Sequence, residues 1–423
     1  MKSSELSGTT VTIENSAEYR VVDTGNARRH PHLMPATERS LNSWEPFWAQ
    51  EPEFDLNSGK YVKIWQGPQH PGVTGNMALE LTLEGDIVRQ CRTHVGYLHR
   101  GFEKLMERRK YIQCFPIVCR ICVPEPDYNE YLFAAGVEEL AGITVPERGQ
   151  WIRTFVLELM RVASLTMGLG GQAGATGLGT IGQWGVAHRD YVLDLFEELT
   201  GGRVYHMYIV PGGVRQDFPE GFPQRVEAVL KKLEKLILDI ERVMFNNTVF
   251  KMRTQGLGYL PPEWVEPFGI TGTTARAAGV PLDVRKNNPY LVYNQLDFKM
   301  ILGSASDVYE RTLLRKEEIL LSIDLIRQIL KKMPAGPVRT KLPNPLHWKV
   351  PAGETYVRAE SGRGEMGYYV VSDGSEYPRR VHVRGASYTH AMALLEQLAV
   401  GVSVADVAPL MVSLQTCPPE IER

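Results

Sequence analysis

Near residue 102 the hydrophobic period of the chain switches from about 2 to about 3.6, and this switch constrains the fold more than any other feature. Before it, "YVKIWQGPQHPG" and "MALELTLEGDIVRQCRTHVGYL" alternate apolar and polar residues between turn residues. That is the pattern of strands in a small antiparallel sheet. After it, "FEKLMERRKYIQCF", "NEYLFAAGVEELAG", "ERGQWIRTFVLELMRVASLTMGL", "HRDYVLDLFEELTG", "PQRVEAVLKKLEKLILDIERVMFNN" and "VYERTLLRKEEILLSIDLIRQILKKM" carry apolar stripes at i, i+3 and i+4. Glycine or proline ends most of them. Toward the C-terminus, "TYVRAES", "GEMGYYVVSDG" and "RRVHVRG" return to strand patterning. The expected fold is therefore α+β: a mostly helical core with small antiparallel sheets at its edge. The expected boundaries are a sheet over 59–101, the helical core over 102–340, and a second sheet with a tail over 341–423. Residues 1–58 are polar and rich in breakers, and read as an extension that is partly disordered or wraps a partner.

Composition excludes several classes of function. The 423 residues can bury a sizeable core. A net charge of -2 provides no basic field for nucleic acid or an anionic membrane. Five cysteines in a chain of this length are not a disulfide framework, so a reducing compartment is expected. The first residues lack an apolar core, and no secretory signal is expected. No window reaches the ~18 apolar residues of a membrane span, so any membrane link is expected to run through a partner. The glycine-rich run "MGLGGQAGATGLGTIGQWG" has neither a phosphate-loop nor a dinucleotide pattern, and reads as a surface for close packing.

The chemistry-bearing feature is "CRICVPEP", residues 119–126, and its echo "CPPEIER" at the C-terminus. Each contains a cysteine followed three positions later by glutamate: Cys122 with Glu125, and Cys417 with Glu420. Pro124, Pro126, Pro418 and Pro419 keep both figures on irregular backbone, where sites often lie. Two such figures can hold a metal such as zinc through two thiolates and two carboxylates. Equally, two small thiols can be buried and inert. Cys91 and Cys114 read as core residues, and Cys119 fits either role.

Beyond these patterns, "GPQHPG", "VGYLHRGFEKLMERRKYIQ", "GITVPERGQWIR", "YIVPGGVRQDFPEG", "GTTARAAGVPLDVRKNNPYLVYNQLDF" and "GRGEMGYYVVSDGSEYPRRVHVRG" resemble the hydrogenase-like, quinone-site subunit of respiratory complex I. They also resemble the large subunits of membrane-bound [NiFe] hydrogenases. The resemblance runs in order from about residue 60 to the end. It implies helices with small sheets, an iron–sulfur small subunit seated near the two cysteine figures, other peripheral-arm subunits, and a membrane ion-pumping arm. It also implies a peripheral position on the cytoplasmic side of the cell membrane.

The departures from that family are informative. In the hydrogenases two CxxC pairs hold nickel and iron. Here the first cysteine of each pair falls on Cys122 and Cys417, and the second falls on Glu125 and Glu420. A carboxylate is harder and donates less than a thiolate, so a nickel–iron centre is expected to be absent and this chain is expected to bind no cofactor alone. Arg120 matches the arginine before the first pair. Glu103, in the RGxE motif with Arg100 and Gly101, matches a glutamate linked to proton transfer. Arg363 and Arg384 match arginines near the metal pocket. In complex I a histidine and a tyrosine meet the quinone head group; the corresponding positions here are Thr74 and Val123, while His70 matches the first histidine of that loop.

The member of this group that fits such an intermediate state is the sulfane sulfur reductase type. It implies electrons from ferredoxin, [4Fe–4S] clusters in partner subunits, reduction of polysulfide sulfur, and coupled ion pumping. The residues expected to do the chemistry are Cys122, Cys417, Glu125, Glu420, Glu103 and Arg120. Those expected to line the pocket are His70, Thr74, Val123, Arg363 and Arg384. The alternative is a complex I-like dehydrogenase subunit that reduces a quinone-like lipophilic carrier. A third reading is an inert scaffold between an iron–sulfur subunit and a membrane arm.

Overall fold

The computed structural model describes residues 19–21, 54–70, 76–344 and 346–423. One helix, Glu147–Ala175, organises the interior. From Trp151 to Thr166 every residue is buried, so this stretch is apolar or ion-paired all round rather than striped. The helix Gly179–Thr200 crosses it at the glycine-rich run. A Cβ on Gly185 would lie 2.8 Å from Gly170 Cα, and one on Gly170 would lie 2.8 Å from Gly182 O. The glycines therefore let two helix backbones touch, which is the close packing expected of that run. On the outside, Phe222–Ile240 buries Phe222, Val226, Leu230, Leu233, Ile237 and Ile240 on one face. The helix Val308–Lys332 also packs against the central one.

Two three-stranded antiparallel sheets flank the helices. Tyr61–Gln66, Ala78–Glu84 and Ile87–His94 form the first, with Ala78–Glu84 in the middle. Its inner face, including Leu79, Leu81 and Val88, joins a second apolar core with Leu394, Leu398, Leu410 and Met411. Gly353–Ser361, Gly364–Ser372 and Pro378–Arg384 form the second, centred on Gly364–Ser372. This sheet lies on the helix Pro126–Ala141, where a Cβ on Gly136 would meet Val370 at 3.1 Å.

Two pairings depart from the expected pattern. Tyr19–Val21, inside the segment read as an extension, runs parallel to Met300–Leu302. Ile209–Val210 pairs with Gly213–Val214 within the stretch read as wholly helical. The rest of the extension up to residue 53 lies outside the described residues.

A buried charge network holds the second sheet to the core. Arg161 donates to Ser361 O at 2.6 Å and to Glu318 at 2.6 Å. Arg276 donates to Glu360 at 2.7 Å and to Glu318 at 2.8 Å. Arg285 adds Asp283, Glu158 and Glu318. Buried charges are tolerated only when paired and hydrogen-bonded in this way. The network fixes Glu360 and Ser361, the last residues before the hairpin turn that carries Arg363.

Candidate functional site

The two cysteine figures meet. Cys122 follows the helix Tyr111–Val118, in a turn that Pro124 and Pro126 prevent from continuing as helix. Glu125 is the residue that caps Pro126–Ala141. Cys417 caps the four-residue helix Pro418–Ile421, on which Glu420 lies. The Sγ atoms of Cys122 and Cys417 are 3.7 Å apart, although 295 residues separate them in sequence. All four residues are buried.

The two glutamates have different surroundings. Glu125 Oε2 accepts from Arg363 Nη1 at 2.7 Å, and its Oε1 accepts from the Gly362 N–H at 2.8 Å. A Cβ on Gly362 would lie 2.5 Å from that Oε1, so the turn closes directly onto the carboxylate. Arg363 Nη1 also lies 3.4 Å from Cys122 Sγ. Glu420 Oε1 accepts from the Ser387 N–H at 3.0 Å. Its Oε2 is buried and has no hydrogen-bond partner.

The electrostatics follow from this arrangement. Burial would pull the Arg363 guanidinium down, but Cys122, Glu125, Cys417 and Glu420 around it raise it well above its ordinary value. Burial, and then Arg363 acting against it, leave the Glu420 carboxyl above its usual range. The two thiols are shifted apart: burial and the neighbouring sulfur push Cys122 up, while the contact with Cys122 pulls Cys417 down against burial. The result is a pair of buried thiols in contact, Cys417 the more acidic of the two, beside one guanidinium and one carboxyl.

As a donor set, Cys122, Cys417 and Glu420 have ligand atoms within 4.8 Å of one another. Glu125 is not part of that set; its two oxygens face Arg363 and the Gly362 N–H. Two thiols and one available carboxylate do not match the four thiolates that a nickel–iron centre needs. A cleft lined by Thr271, Asp283, Asn287, Arg358, Glu360 and Glu365 among others shares no residue with this cluster.

The other candidate residues lie elsewhere. Arg120 points away from Cys122: its guanidinium donates to Pro116 O at 2.7 Å, contacts Cys119 Sγ at 3.1 Å and lies over the Tyr205 ring. Glu103 accepts from the Val383 N–H at 2.9 Å and pairs with Arg380 at 2.8 Å, His382 at 3.2 Å and Arg423 at 3.4 Å. Arg384 bonds the carbonyls of Glu365 and Gly269, at the edge of the second sheet. Val123 is next to Cys122 in sequence yet 39% exposed, so the cysteine turn presents one face to the outside. His70 is exposed on the first sheet's loop. Thr74 lies outside the described residues.

Several contributors had no signal in spacing. The N–H groups of Gly362 and Ser387 bind the two carboxylates, and Asn129 bridges the Glu125 carbonyl (3.1 Å) to the Tyr368 hydroxyl (2.7 Å). Only the glycines flanking Arg363 marked that turn in the sequence. Cys91, Cys114 and Cys119 are buried.

Comparison with known proteins places this geometry in context. The family model described as respiratory-chain NADH dehydrogenase, 49 Kd subunit, matches residues 175–348 and 344–423. An NADH-quinone oxidoreductase subunit of Thermosipho melanesiensis is 45% identical over 364 residues, covering 86% of this chain and 99% of that protein. An F(420)H(2) dehydrogenase subunit of Methanosarcina mazei is 40% identical over 377 residues, covering 87% and 99%. Among solved structures, a chain from the membrane-bound sulfane sulfur reductase, an archaeal respiratory membrane complex, aligns with a TM-score of 0.84 at 40% identity. It covers 88% of this chain and 100% of that one.

Proposed function

The chain belongs to the family of the 49 Kd subunit of respiratory-chain NADH dehydrogenase, and from that premise we propose that it forms the substrate site of a membrane-bound, ferredoxin-linked oxidoreductase that reduces sulfane sulfur and couples this to ion pumping. The observation that carries the reading is the contact of the Cys122 and Cys417 sulfurs, 3.7 Å apart beside Arg363. The likeness to a chain of the sulfane sulfur reductase complex supports it. Among the described residues no helix is long and apolar enough to cross a membrane, so attachment through partner subunits on the cytoplasmic side fits the reading.

The chemistry assigned to this chain is binding and proton handling. The Cys417 thiolate attacks an electrophilic sulfur of the polysulfide, as in thiol–disulfide exchange. Arg363 holds developing negative charge on sulfur, as a fixed cation in a water-poor site does effectively. Cys122 and Glu420 return protons to the leaving sulfide. A [4Fe–4S] cluster in a partner iron–sulfur subunit would supply one-electron reduction when bound. In this reading the chain holds no nickel–iron centre.

A second reading is favoured by the names of the relatives: a subunit that passes electrons to a quinone-like carrier. The test uses the purified whole complex with reduced ferredoxin, offered polysulfide and, separately, a short-chain quinone. Fast sulfide release with little quinone turnover supports the sulfur reading. Quinone turnover without sulfide refutes it. Cys122→Ala and Cys417→Ala are each expected to lower sulfide production at least about 100-fold, since each removes a reacting group.

A further inference from the structure

The loop 203–208 is held against the cysteine turn in a conformation that ordinary residues avoid. Tyr205 (φ 62°) and Met207 (φ 46°) both have left-handed backbone, although neither is glycine. Such strain persists only where the surroundings over-determine it. Three contacts do so here. Arg120, two residues before Cys122, lies over the Tyr205 ring at 4.9 Å. Glu130 accepts the N–H groups of Met207 (2.6 Å), Tyr208 (2.8 Å) and Ile209 (3.1 Å). His206 Nδ1 lies 3.0 and 2.9 Å from the two carboxylate oxygens of Asp127.

This last pair is buried, and the imidazole stacks flat on Phe196 with centroids 4.1 Å apart. His206 Nε2 faces the Arg203 carbonyl at 3.2 Å, an oxygen that only accepts, so Nε2 carries a hydrogen. A ring protonated there alone would turn the Nδ1 lone pair toward a carboxylate. One further proton is therefore held between Nδ1 and Asp127. Its loss would leave an uncompensated negative charge in the interior, beside the buried Glu130. Asp127 stands in the first turn of Pro126–Ala141, two residues after Glu125. That turn is tied to the site: the Glu125 N–H bonds Cys122 O at 3.3 Å, and Asn129 Nδ2 donates to the Glu125 carbonyl at 3.1 Å. The contacts of His206 run to Asp127, Arg203 and Phe196, so its effect on the sulfurs passes through this turn.

We propose that His206 is a positioning residue of the site: sharing a proton with Asp127, it locks loop 203–208 onto the first turn of Pro126–Ala141 and so fixes Glu125 and the Cys122 turn in their working geometry. The proposal goes beyond the sulfur reading and holds for either electron acceptor. The charged and titratable groups around the pair are Glu130 on the same helix, Cys119 and Arg120 on the cysteine turn, and Tyr208 on the loop; the Arg203 guanidinium turns outward to Asp190, Asp194 and Glu197. Burial works to lower His206, but Asp127 and Glu130 raise it above 6.5. Burial, and then Asp127, push Glu130 from 4.5 up to about 8. A raised histidine keeps its contribution below its unfolded value and loses it as pH rises through the folded one. The His206 limb is therefore alkaline, and it is read as the difference between the native complex and the variant.

The purified whole complex is assayed with reduced ferredoxin and either polysulfide or a short-chain quinone, with kcat and KM separated, between about pH 6 and about pH 9. Hydrogen exchange read by mass spectrometry follows the peptides covering 119–130 and 203–209 in the same samples. His206→Gln is expected to lower kcat about tenfold with KM within about twofold, because it misplaces reacting groups and removes none. It is also expected to flatten the alkaline fall of kcat. Asp127→Asn is expected to match it, and the double variant to be no slower than either single one. Exchange at 119–130 is expected to rise in His206→Gln, and in the native complex as pH is raised, after correction for the intrinsic rate. Faster exchange confined to 203–209, or an unchanged kcat and alkaline limb in His206→Gln, overturns the proposal. If His206→Gln does not assemble, exchange in the native complex against pH gives the same decision. Turnover of quinone alone, or of neither acceptor, counts against the sulfur reading and leaves the exchange result to decide this one.

Discussion

The two cysteine–glutamate figures are near-twins in sequence and opposites in structure. Glu125 begins a sixteen-residue helix and has both oxygens bonded, one to Arg363 and one to the Gly362 N–H. Glu420 sits within a four-residue helix with one oxygen bonded to Ser387 and the other free. The first glutamate fixes a cation in place. The second leaves a carboxyl oxygen available next to two sulfurs. Identical spacing thus provides one positioning group and one group available for reaction, and the difference is set by which strand turn and which tail pack against each.

The strongest way to break this comparison is Arg363→Met. It leaves Glu125 buried without its cation, which typically costs about 3–5 kcal/mol. Denaturant unfolding of the subunit in the complex should show the loss, together with loss of turnover. An unchanged unfolding midpoint would mean that Glu125 is not held as described.

The tail that carries Cys417 can be separated from the turn that carries Cys122 by pH. His390 is buried, with Nδ1 bonded to Leu414 O at 3.0 Å, close to the tail's start. Burial pushes it from 6.5 down to about 4. A depressed histidine leaves stability intact above the unfolded value. That stability is lost as pH falls from about 6.5 toward 4, where the unfolded chain is charged and the folded one is not. By pH 4 the loss reaches about 3 kcal/mol relative to His390→Gln. Equal acid sensitivity of wild type and variant would remove His390 from this role.

Overpacking tests the same asymmetry at the glycines. Gly362→Ala drives a methyl toward Glu125 Oε1 and should cost about 2 kcal/mol, within the usual range for such insertions. Gly385→Ala meets Oε1, Cγ and Cδ of the buried Glu420 together, where Gly362→Ala meets only one carboxylate oxygen at such close range, and should cost more. Thermal melting of the two variants side by side decides it, and a larger loss at Gly362 would reverse the expected order.

The mildest effect is on soft-metal inhibition. Added cadmium should bind Cys122, Cys417 and Glu420, giving thiolate charge-transfer absorbance and blocking turnover. Glu420→Gln is expected to weaken binding roughly tenfold by removing one ligand, about 1.4 kcal/mol. Glu125→Gln is expected to leave the ligand set complete. A stronger effect at Glu125 would show that it, too, reaches the sulfurs.

Much of the fold was legible because periodicity is local. The stripes from residue 102 onward gave the helices, and alternation gave both sheets. The parallel pairing of Tyr19–Val21 with Met300–Leu302 was not legible, because three residues carry too little pattern and the partner lies far along the chain. At the site, the repeated cysteine–glutamate spacing pointed to Cys122 and Cys417, and the family resemblance to Arg363; the structure brings these three together. The resemblance also offered Arg120, Glu103 and Arg384, whose contacts run to Pro116, to Arg380 and to Glu365.

The sequence by itself determined the helical core, the family, and the fact that two of four metal-binding thiols are replaced by carboxylates, because these are properties of residue type and order. Only the tertiary structure decided that the remaining thiols lie 3.7 Å apart, that both Glu125 oxygens are bonded and that one Glu420 oxygen is not. The cysteine contact and the Glu125 contacts span more than two hundred residues, and the Cys122 and Cys417 turns that make them lie beside prolines. There no repeating pattern encodes direction, and packing against the Arg363 hairpin sets it.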